Sequence, residues 1–368
     1  MSERTVRVGV IGAGGFAETC HIPGIQAHPQ GEVVALCARN RDRVRDMADR
    51  LGVPDIHTDY QELIARRDID AVTIATPDVL HLPVAAAALQ AGKHVFCEKP
   101  LAMNAAEARQ MADLADRTGL VAMVAFTFRY TRALPAVRRI LREGIVGDPF
   151  FVEIRVHWGD IGFPDSSLTW RERSAESAAG VWGDGASHLF DALAFALAPV
   201  REVCAQVMIL PRPPGRPQPD NVDLATCLAR LQLPLTRPMP PDISGPGSVE
   251  PGTVQVTLLT SRVDRPELAG DTMYVVGTDG AVQISLNRGQ HERARLLRRG
   301  SEWQDLALPP DALTDQPLAL MRMMAAFVDG ILRGRLGTDD PDFRAGLHAQ
   351  QALDAAILSA HTGQWQPV

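Results

Sequence analysis

The chain is poor in cysteine, has no block of basic residues and holds no long apolar run. Its five cysteines, Cys20, Cys37, Cys97, Cys204 and Cys227, are scattered, odd in number and without a CxxC spacing. That argues against a disulfide framework or a zinc site and for buried, reduced thiols of a cytosolic protein. Lys and Arg total 37 against 44 Asp and Glu, a formal charge of −7. A mildly acidic chain of this kind is a poor match for a phosphate backbone or an anionic bilayer, so neither nucleic acid nor membrane is an expected partner. No apolar stretch approaches the roughly 18 residues that span a bilayer. The polar segment Met1–Thr5 runs straight into a strand, so no signal peptide is visible and a cytoplasmic location is expected. No His/Cys/Asp cluster has metal-ligand spacing, so no metal is expected. The lack of GxSxG removes the nucleophile elbow of a Ser-His-Asp hydrolase.

What remains is ordinary globular composition: 368 residues, 46% hydrophobic and 22% charged, which excludes disorder and collagen. At roughly 150 residues per domain, the length suggests about two domains. Up to residue 126, apolar strands alternate with helices. Strands are read at Val6–Ile11, Glu32–Ala38, Ala71–Ala75, His94–Cys97 and Val121–Phe126. Helices are read at Gly14–His28, Asp42–Leu51, Pro83–Gln90 and Ala105–Ala115. Continuous apolar strands between helices imply a parallel sheet covered on both faces. From Phe150 the pattern becomes period two, at Phe151–His157, Val203–Ile209, Ala225–Leu231, Thr253–Leu259 and Ala281–Leu286. That predicts a largely antiparallel second sheet. Pro211–Pro219 and Pro234–Gly252 read as surface loops, and Leu318–Leu332 and Phe343–Ser359 as closing amphipathic helices. The expected fold class is therefore α/β, with a doubly wound domain over residues 1–126 and a second α/β domain over 127–368.

Gly12-Ala13-Gly14-Gly15-Phe16-Ala17 follows the first strand and opens the first helix. It fits GxGxx(G/A): one glycine for the tight turn, one for close approach of a pyrophosphate, and a small third residue for helix–strand packing. The helix N-terminus then faces the negative charge. Dinucleotide binding is the expected role of the turn. An acid that would hold the adenosine ribose is expected near the end of the second strand, where Ala38 stands instead. Arg39, Asn40, Arg41 and Arg43 follow. The missing carboxylate and the guanidinium at Arg39 favour NADP over NAD. Stacking of Arg39 on adenine is the plainer alternative.

His94-Val95-Phe96-Cys97-Glu98-Lys99-Pro100 carries an apolar strand straight into charge. At the carboxyl end of a sheet strand, a Lys can hydrogen-bond a substrate oxygen. The local sequence leaves a surface Lys in a turn equally open. Here the chain resembles the glucose–fructose oxidoreductase/inositol dehydrogenase/MocA (Gfo/Idh/MocA) oxidoreductases. The resemblance rests on Thr76-Pro77-Asp78, His81, Ala91-Gly92-Lys93-His94-Val95 and Glu98-Lys99-Pro100. Phe128-Arg129-Tyr130, Gly144-Ile145-Val146-Gly147, Gly183 to Asp191 and the closing Ala352–Gly363 helix extend it along the chain. Ala186 stands where the family usually has Gly, Ala38 where many NAD-using relatives have an acid, and Pro234–Gly252 looks longer than the family's hairpin.

The resemblance implies a Rossmann domain, then an α/β domain on an open, mostly antiparallel sheet. It implies a nicotinamide cofactor held at their interface and hydride transfer at an oxygen-bearing carbon, commonly of a sugar, inositol or related polyol. It also implies association into a dimer or tetramer through the open sheet. Thr76, Pro77, Asp78, His81, Glu98, Lys99 and Arg129 join the expected cofactor contacts.

Asp184 and His188 stand four residues apart, with Asp191 three further on; in a helix all three share a face. A carboxylate one turn from an imidazole fixes its tautomer and stabilises the imidazolium formed on proton uptake. A helix N-cap at Asp184 and a core histidine at His188 remain open from spacing alone; the match to the family raises Lys99, His188 and Asp184 to the expected catalytic set. Trp158, Trp170, Arg171 and Arg129, with Trp182, are candidates for the substrate side. Two other functions compete: reduction of a non-sugar carbonyl or unsaturated compound, and a non-catalytic NADP sensor on the same fold. A sensor has no need of Lys99, Asp184 and His188 together.

Overall fold

The structure, a computed structural model, describes residues 4–157, 168–212, 214–236, 249–261, 271–286, 292–309 and 318–368. The chain divides into two compact units. The first comprises Met1–Tyr130, Ala175–Ala178 and Asp315–Gln350; the second comprises Thr131–Ser174, Ala179–Thr314 and Gln351–Val368. A single cut after residue 126 does not express the late return of residues 315–350 to the first unit.

The first unit is built on β1 (Val6–Ile11), a π-helical stretch Ala17–His21 leading into α1 (Ile22–Gln26), β2 (Gly31–Cys37), α2 (Arg41–Leu51), β3 (Asp55–His57), α3 (Tyr60–Ile64), β4 (Ala71–Ile74), α4 (His81–Gln90), β5 (His94–Cys97), α5 (Ala105–Thr118) and β6 (Ala122–Val124). The six strands pair in parallel in the order β3-β2-β1-β4-β5-β6. This is the expected doubly wound sheet, with the order reversing at β1/β4, where a ligand crevice forms outside the strand ends. The sequence signals hold locally: Asn40 and Asn104 cap α2 and α5 by accepting from the backbone N–H of Arg43 and Glu107, and Gly52 and Gly119 end those helices in the left-handed conformation.

The second unit contains α6 (Ala133–Arg142), β7 (Pro149–His157), α7 (Gly180–Ala196), β8 (Glu202–Met208), β9 (Leu224–Gln232), β10 (Thr253–Ser261), β11 (Thr272–Gly277), β12 (Gly280–Ser285), β13 (Ala294–Arg298) and β14 (Gln304–Asp305). The chain closes with α8 (Leu318–Arg333), α9 (Phe343–Thr362) and β15 (Gln366–Pro367). The second sheet runs β14-β13-β12-β11-β7-β10-β9-β8-β15 and is antiparallel except for the β7–β10 pair. Val152, Ile154, Val256 and Leu258 bury one face of it under α7. In the first unit α8 packs Met323, Met324, Phe327 and Val328 into one core with Val8, Val10, Leu36 and Phe96.

None of the five cysteines is in a disulfide, and four of them are buried. Burial pushes the Cys37 thiol up to about 12, helped by the nearby Asp59 and Glu62 carboxylates. Among the described residues no helix is long and apolar enough to cross a membrane, and no cluster of three His, Cys, Asp or Glu side chains could hold a metal ion.

Candidate active site

The glycines of the first turn answer different needs. Gly12 has φ +113°, and a Cβ there would run into the Ala75 carbonyl; its N–H donates to Cys37 O at 2.8 Å. Gly14 and Gly15 meet no such constraint. A Cβ on Gly14 would come no closer than 3.9 Å to any neighbour, and one on Gly15 would meet nothing within 4 Å. The fold does not demand their smallness; an anion seated against the bare backbone at a helix start does. Phe16 is half-buried against the core, and Ala17 is fully buried in it, the close packing asked of the third small residue.

At the β2–α2 corner Ala38 packs on the core. Asn40 caps α2, Oδ1 accepting from Arg43 N at 3.0 Å. The side chains of Arg39, Arg41 and Arg43 are exposed and make no hydrogen bond or ion pair with any described residue. Three other arginines of this unit are claimed, Arg7 by Glu32 and Asp68, Arg50 by Glu18 and Asp46, Arg66 by Asp55 and Asp68, whereas the exposed Arg45, Arg67, Arg109 and Arg117 also make no side-chain hydrogen bond or ion pair with a described residue. An unclaimed cationic corner without an acid suits an extra phosphate. The turns after β4 and β5 carry the other cofactor candidates. The Thr76 hydroxyl, beside Pro77, is buried with no partner in the described structure, a polar atom that a ligand could satisfy. These features fit a dinucleotide.

Asp78 and His81 each have partners within the first unit. Asp78 Oδ2 accepts from Ser177 Oγ (3.0 Å) and Ala178 N (2.9 Å), fastening that segment to the first unit. His81 is fully buried, with Nδ1 2.9 Å from Pro100 O and Nε2 3.1 Å from Thr76 O. Burial pushes its pKa down against the pull of both carbonyls. The neutral ring supplies one hydrogen, and it ties the Thr76 turn to the Lys99-Pro100 turn. Glu98 is also buried, 3.1 Å from His21 Nε2. Burial works to raise its pKa, but the hydrogen bond to His21, with the Lys99 ammonium behind it, holds it below the ordinary carboxylate value. Lys99, 6% exposed, donates its backbone N–H to Glu98 Oε2 at 3.3 Å. Arg129 donates to Asp339 O at 3.1 Å. His21 was not legible as a site residue: one histidine in a helix reads as core, and its only signal is its place just beyond the glycine turn.

In the second unit, α7 starts at Gly180, so Asp184 lies inside the helix and is not its cap. Ala179 and Gly180 both take left-handed φ, turning the chain into it. Asp184, His188 and Asp191 are all buried on this helix, His188 to 1% exposure. Arg171 Nε stands 3.1 Å from Asp184 Oδ2, and its guanidinium lies over the Trp170 ring at 4.4 Å. The structure thus gathers Trp170, Arg171 and Asp184, with His188 one turn on. A buried ionic cluster fixes that turn: Arg212 Nη2 reaches Glu172 Oε1 at 2.9 Å and Asp223 Oδ1 at 3.3 Å. Arg212 lies in the Pro-rich stretch expected to be a surface loop. Trp182 is core, edge-on to Phe190 at 5.8 Å, and not a substrate platform. Trp158 and most of Pro234–Gly252 lie outside the described residues.

Comparison with known proteins follows the same division. Residues 6–126 match the Gfo/Idh/MocA model of an oxidoreductase family with an NAD-binding Rossmann fold, and residues 135–235 match the Gfo/Idh/MocA C-terminal domain. An uncharacterized oxidoreductase of Synechocystis sp. is 26% identical over 98% of this chain and 95% of its own. The levoglucosan dehydrogenase of Pseudarthrobacter phenanthrenivorans is 34% identical over 198 residues, 51% of this chain and 50% of that enzyme, so the match spans about half of that relative. A solved levoglucosan dehydrogenase in complex with NADH and levoglucosan has the same fold, with TM-score 0.86 at 23% identity over 99% of this chain and all of that one. The chain is an oxidoreductase of the Gfo/Idh/MocA family, an NAD-binding Rossmann domain joined to that family's C-terminal domain.

Proposed function

We propose that the protein transfers hydride, with NADP preferred over NAD, at a hydroxyl- or carbonyl-bearing carbon of a sugar, inositol or related polyol. The observation that carries the reading is α7, where Asp184 and His188 are buried one turn apart and Arg171, stacked on Trp170, reaches Asp184. The relative named as a levoglucosan dehydrogenase supports the substrate class. The three unclaimed arginines after β2 support NADP.

When bound, the nicotinamide supplies the two-electron acceptor or donor beside the substrate carbon. In oxidation His188 takes the hydroxyl proton, and the Lys99 ammonium stabilises the developing alkoxide by a charge-assisted hydrogen bond. Asp184, held by Arg171, orients His188 or grips a substrate hydroxyl. Trp170 offers an aromatic face to the apolar side of a sugar ring, and Arg129 stays a candidate for the cofactor and substrate side. Association into a dimer or tetramer through the uncovered sheet face belongs to the same proposal.

A coupled absorbance screen over sugars, inositols, sugar acids and ketosugars with NADP and NAD tests the reading. Lys99→Met and His188→Asn are each expected to lower turnover roughly 10²–10⁴-fold with NADP binding retained. Surviving turnover in either would sink the assignment. Tighter fluorescence-monitored binding of NADH than NADPH would overturn the cofactor preference.

A further inference from the structure

Beside the Glu98-Lys99 turn stands a buried pair that the chemistry above does not use. His21 belongs to the π-helical stretch that follows the glycine turn; such stretches recur at functional sites. Its ring is fully buried and meets Phe96 of β5 edge-on, with centroids 5.2 Å apart. Nε2 lies 3.1 Å from Glu98 Oε1. A carboxylate oxygen only accepts, so Nε2 carries the hydrogen of this contact. Nδ1 is buried with no partner among the described residues. The polar engagement of this ring is therefore with Glu98, whose other oxygen accepts the Lys99 N–H at 3.3 Å.

We propose that His21 is a positioning residue for the redox step: its Nε2–H fixes the Glu98 carboxylate, which in turn holds the Lys99 backbone and stands as counter-charge to the Lys99 ammonium. The inference rests on the reading of Lys99 as the group that hydrogen-bonds the substrate oxygen. Core packing alone does not account for the pair. A buried polar pair is commonly no more stable than an apolar pair of the same volume, and a buried ring nitrogen with no partner forfeits a hydrogen bond. The groups that face Glu98 are few. His21 comes from the first helix, Lys99 from the same turn, Cys97 from β5 and His81 from the start of α4, with Asp78 beyond Cys97. Burial pushes the Cys97 thiol up and the His81 ring down, so neither carries charge near neutral pH. Asp78 is engaged by Ser177 and Ala178. That leaves His21, by its hydrogen bond and its charge, and Lys99, by its ammonium and its backbone N–H, to keep Glu98 ionised.

Two substitutions separate the donor from the bulk. His21→Gln keeps an N–H at the Nε2 position, and His21→Leu removes it. In the full chain, with and without NADP, the Glu98 carboxyl is followed by ¹³C NMR of labelled glutamate, assigned by its loss in Glu98→Gln. His21→Leu is expected to raise its titration midpoint by about one pH unit or more, because the charged form loses its donor. The kcat/KM profile should then gain an acid limb at the same pH, while His21→Gln shows neither change. Wild-type titration and profile in His21→Leu would overturn the proposal, as would equal changes in both variants. If His21→Leu does not fold, Glu98→Gln carries the test: kcat about tenfold down at every pH with KM for NADP unchanged is expected, and wild-type kcat overturns it. Lys99→Met keeps the two failures apart. Turnover in Lys99→Met defeats the functional reading while the Glu98 titration still reports the pair; a dead Lys99→Met beside an unaltered His21→Leu defeats this inference alone.

Discussion

Gly12 and Gly15 stand three residues apart in one motif and answer to different forces. At Gly12 the backbone is left-handed and the Ala75 carbonyl occupies the place of a side chain. Gly12→Ala should cost about 2 kcal/mol or more of stability in urea unfolding. At Gly15 the helix begins in open space. Gly15→Ala should leave the midpoint unchanged or raise stability by about 0.5 kcal/mol, yet weaken NADP at least about tenfold by crowding the pyrophosphate. Equal destabilisation by both would show that the two serve only the fold. Lys93 and Lys99 are the chain's two lysines, and both lie in the stretch that carries the family resemblance. A motif records that a residue is needed, not why. Lys93 Nζ donates to Arg66 O at 2.8 Å and Ile69 O at 2.7 Å, so it pins a loop. Lys93→Met should cost about 2 kcal/mol by unsatisfying those carbonyls and leave turnover per folded molecule intact; a catalytic loss with unchanged stability would reverse the roles of the two lysines. The structural partners of Asp78 and His81, Ser177 and the Pro100 carbonyl, could not be read because they are distant in sequence.

Elements with a continuous apolar run or a cap at their ends were readable, and several without one were not. β1, β2, β4, β5 and α2 fall within a residue or two of their expected bounds, because apolar alternation and caps mark them. β3 and α3 hold three and five residues, too few to show a period. β11 and β13 went unread, β13 because Arg295 and Arg298 interrupt it. The early turns of α7 were hidden by Gly180, Gly183 and Gly185; burial of the whole helix overrides that poor propensity. The turn carrying Trp170 and Arg171 depends on the Glu172–Arg212–Asp223 cluster, where all three side chains are almost fully buried. Arg212→Met leaves two carboxylates facing each other and should cost about 3–5 kcal/mol at pH 7.5. Burial already raises Asp223 above its ordinary value. Its folded pKa then exceeds the unfolded one, so the folded state binds the proton first and stability rises as pH falls through that pKa. Urea midpoints should therefore show the variant recovering part of its deficit between pH 7.5 and pH 5. A deficit that widens on acidification would rule out this account of the cluster.

At the scale of the whole molecule, periodicity identified α8 as amphipathic but not the sheet that its apolar side covers. Met324 and Phe327 join the core of the first unit, so the chain must come back after building the second. The open sheet poses the complementary question of what meets an apolar residue left outside. One face of that sheet lies under α7. On the other, register places Cys204, Leu228, Thr257, Glu153 and Tyr274 in one row across β8, β9, β10, β7 and β11. Leu228 is 43% exposed, and Met208 on the neighbouring strand is 50% exposed. Alternating strands that keep apolar groups outward suit a second copy of the same face better than water. Light scattering should give a mass at least twice that of one chain, and Leu228→Glu with Met208→Glu should lower it. Because both side chains are already half in solvent, the double substitution should change the unfolding midpoint of the dissociated chain by no more than about 0.5 kcal/mol per site. A double variant with unaltered mass would move the contact off this face. One that lost mass and fold together would show that the two residues stabilise the sheet itself.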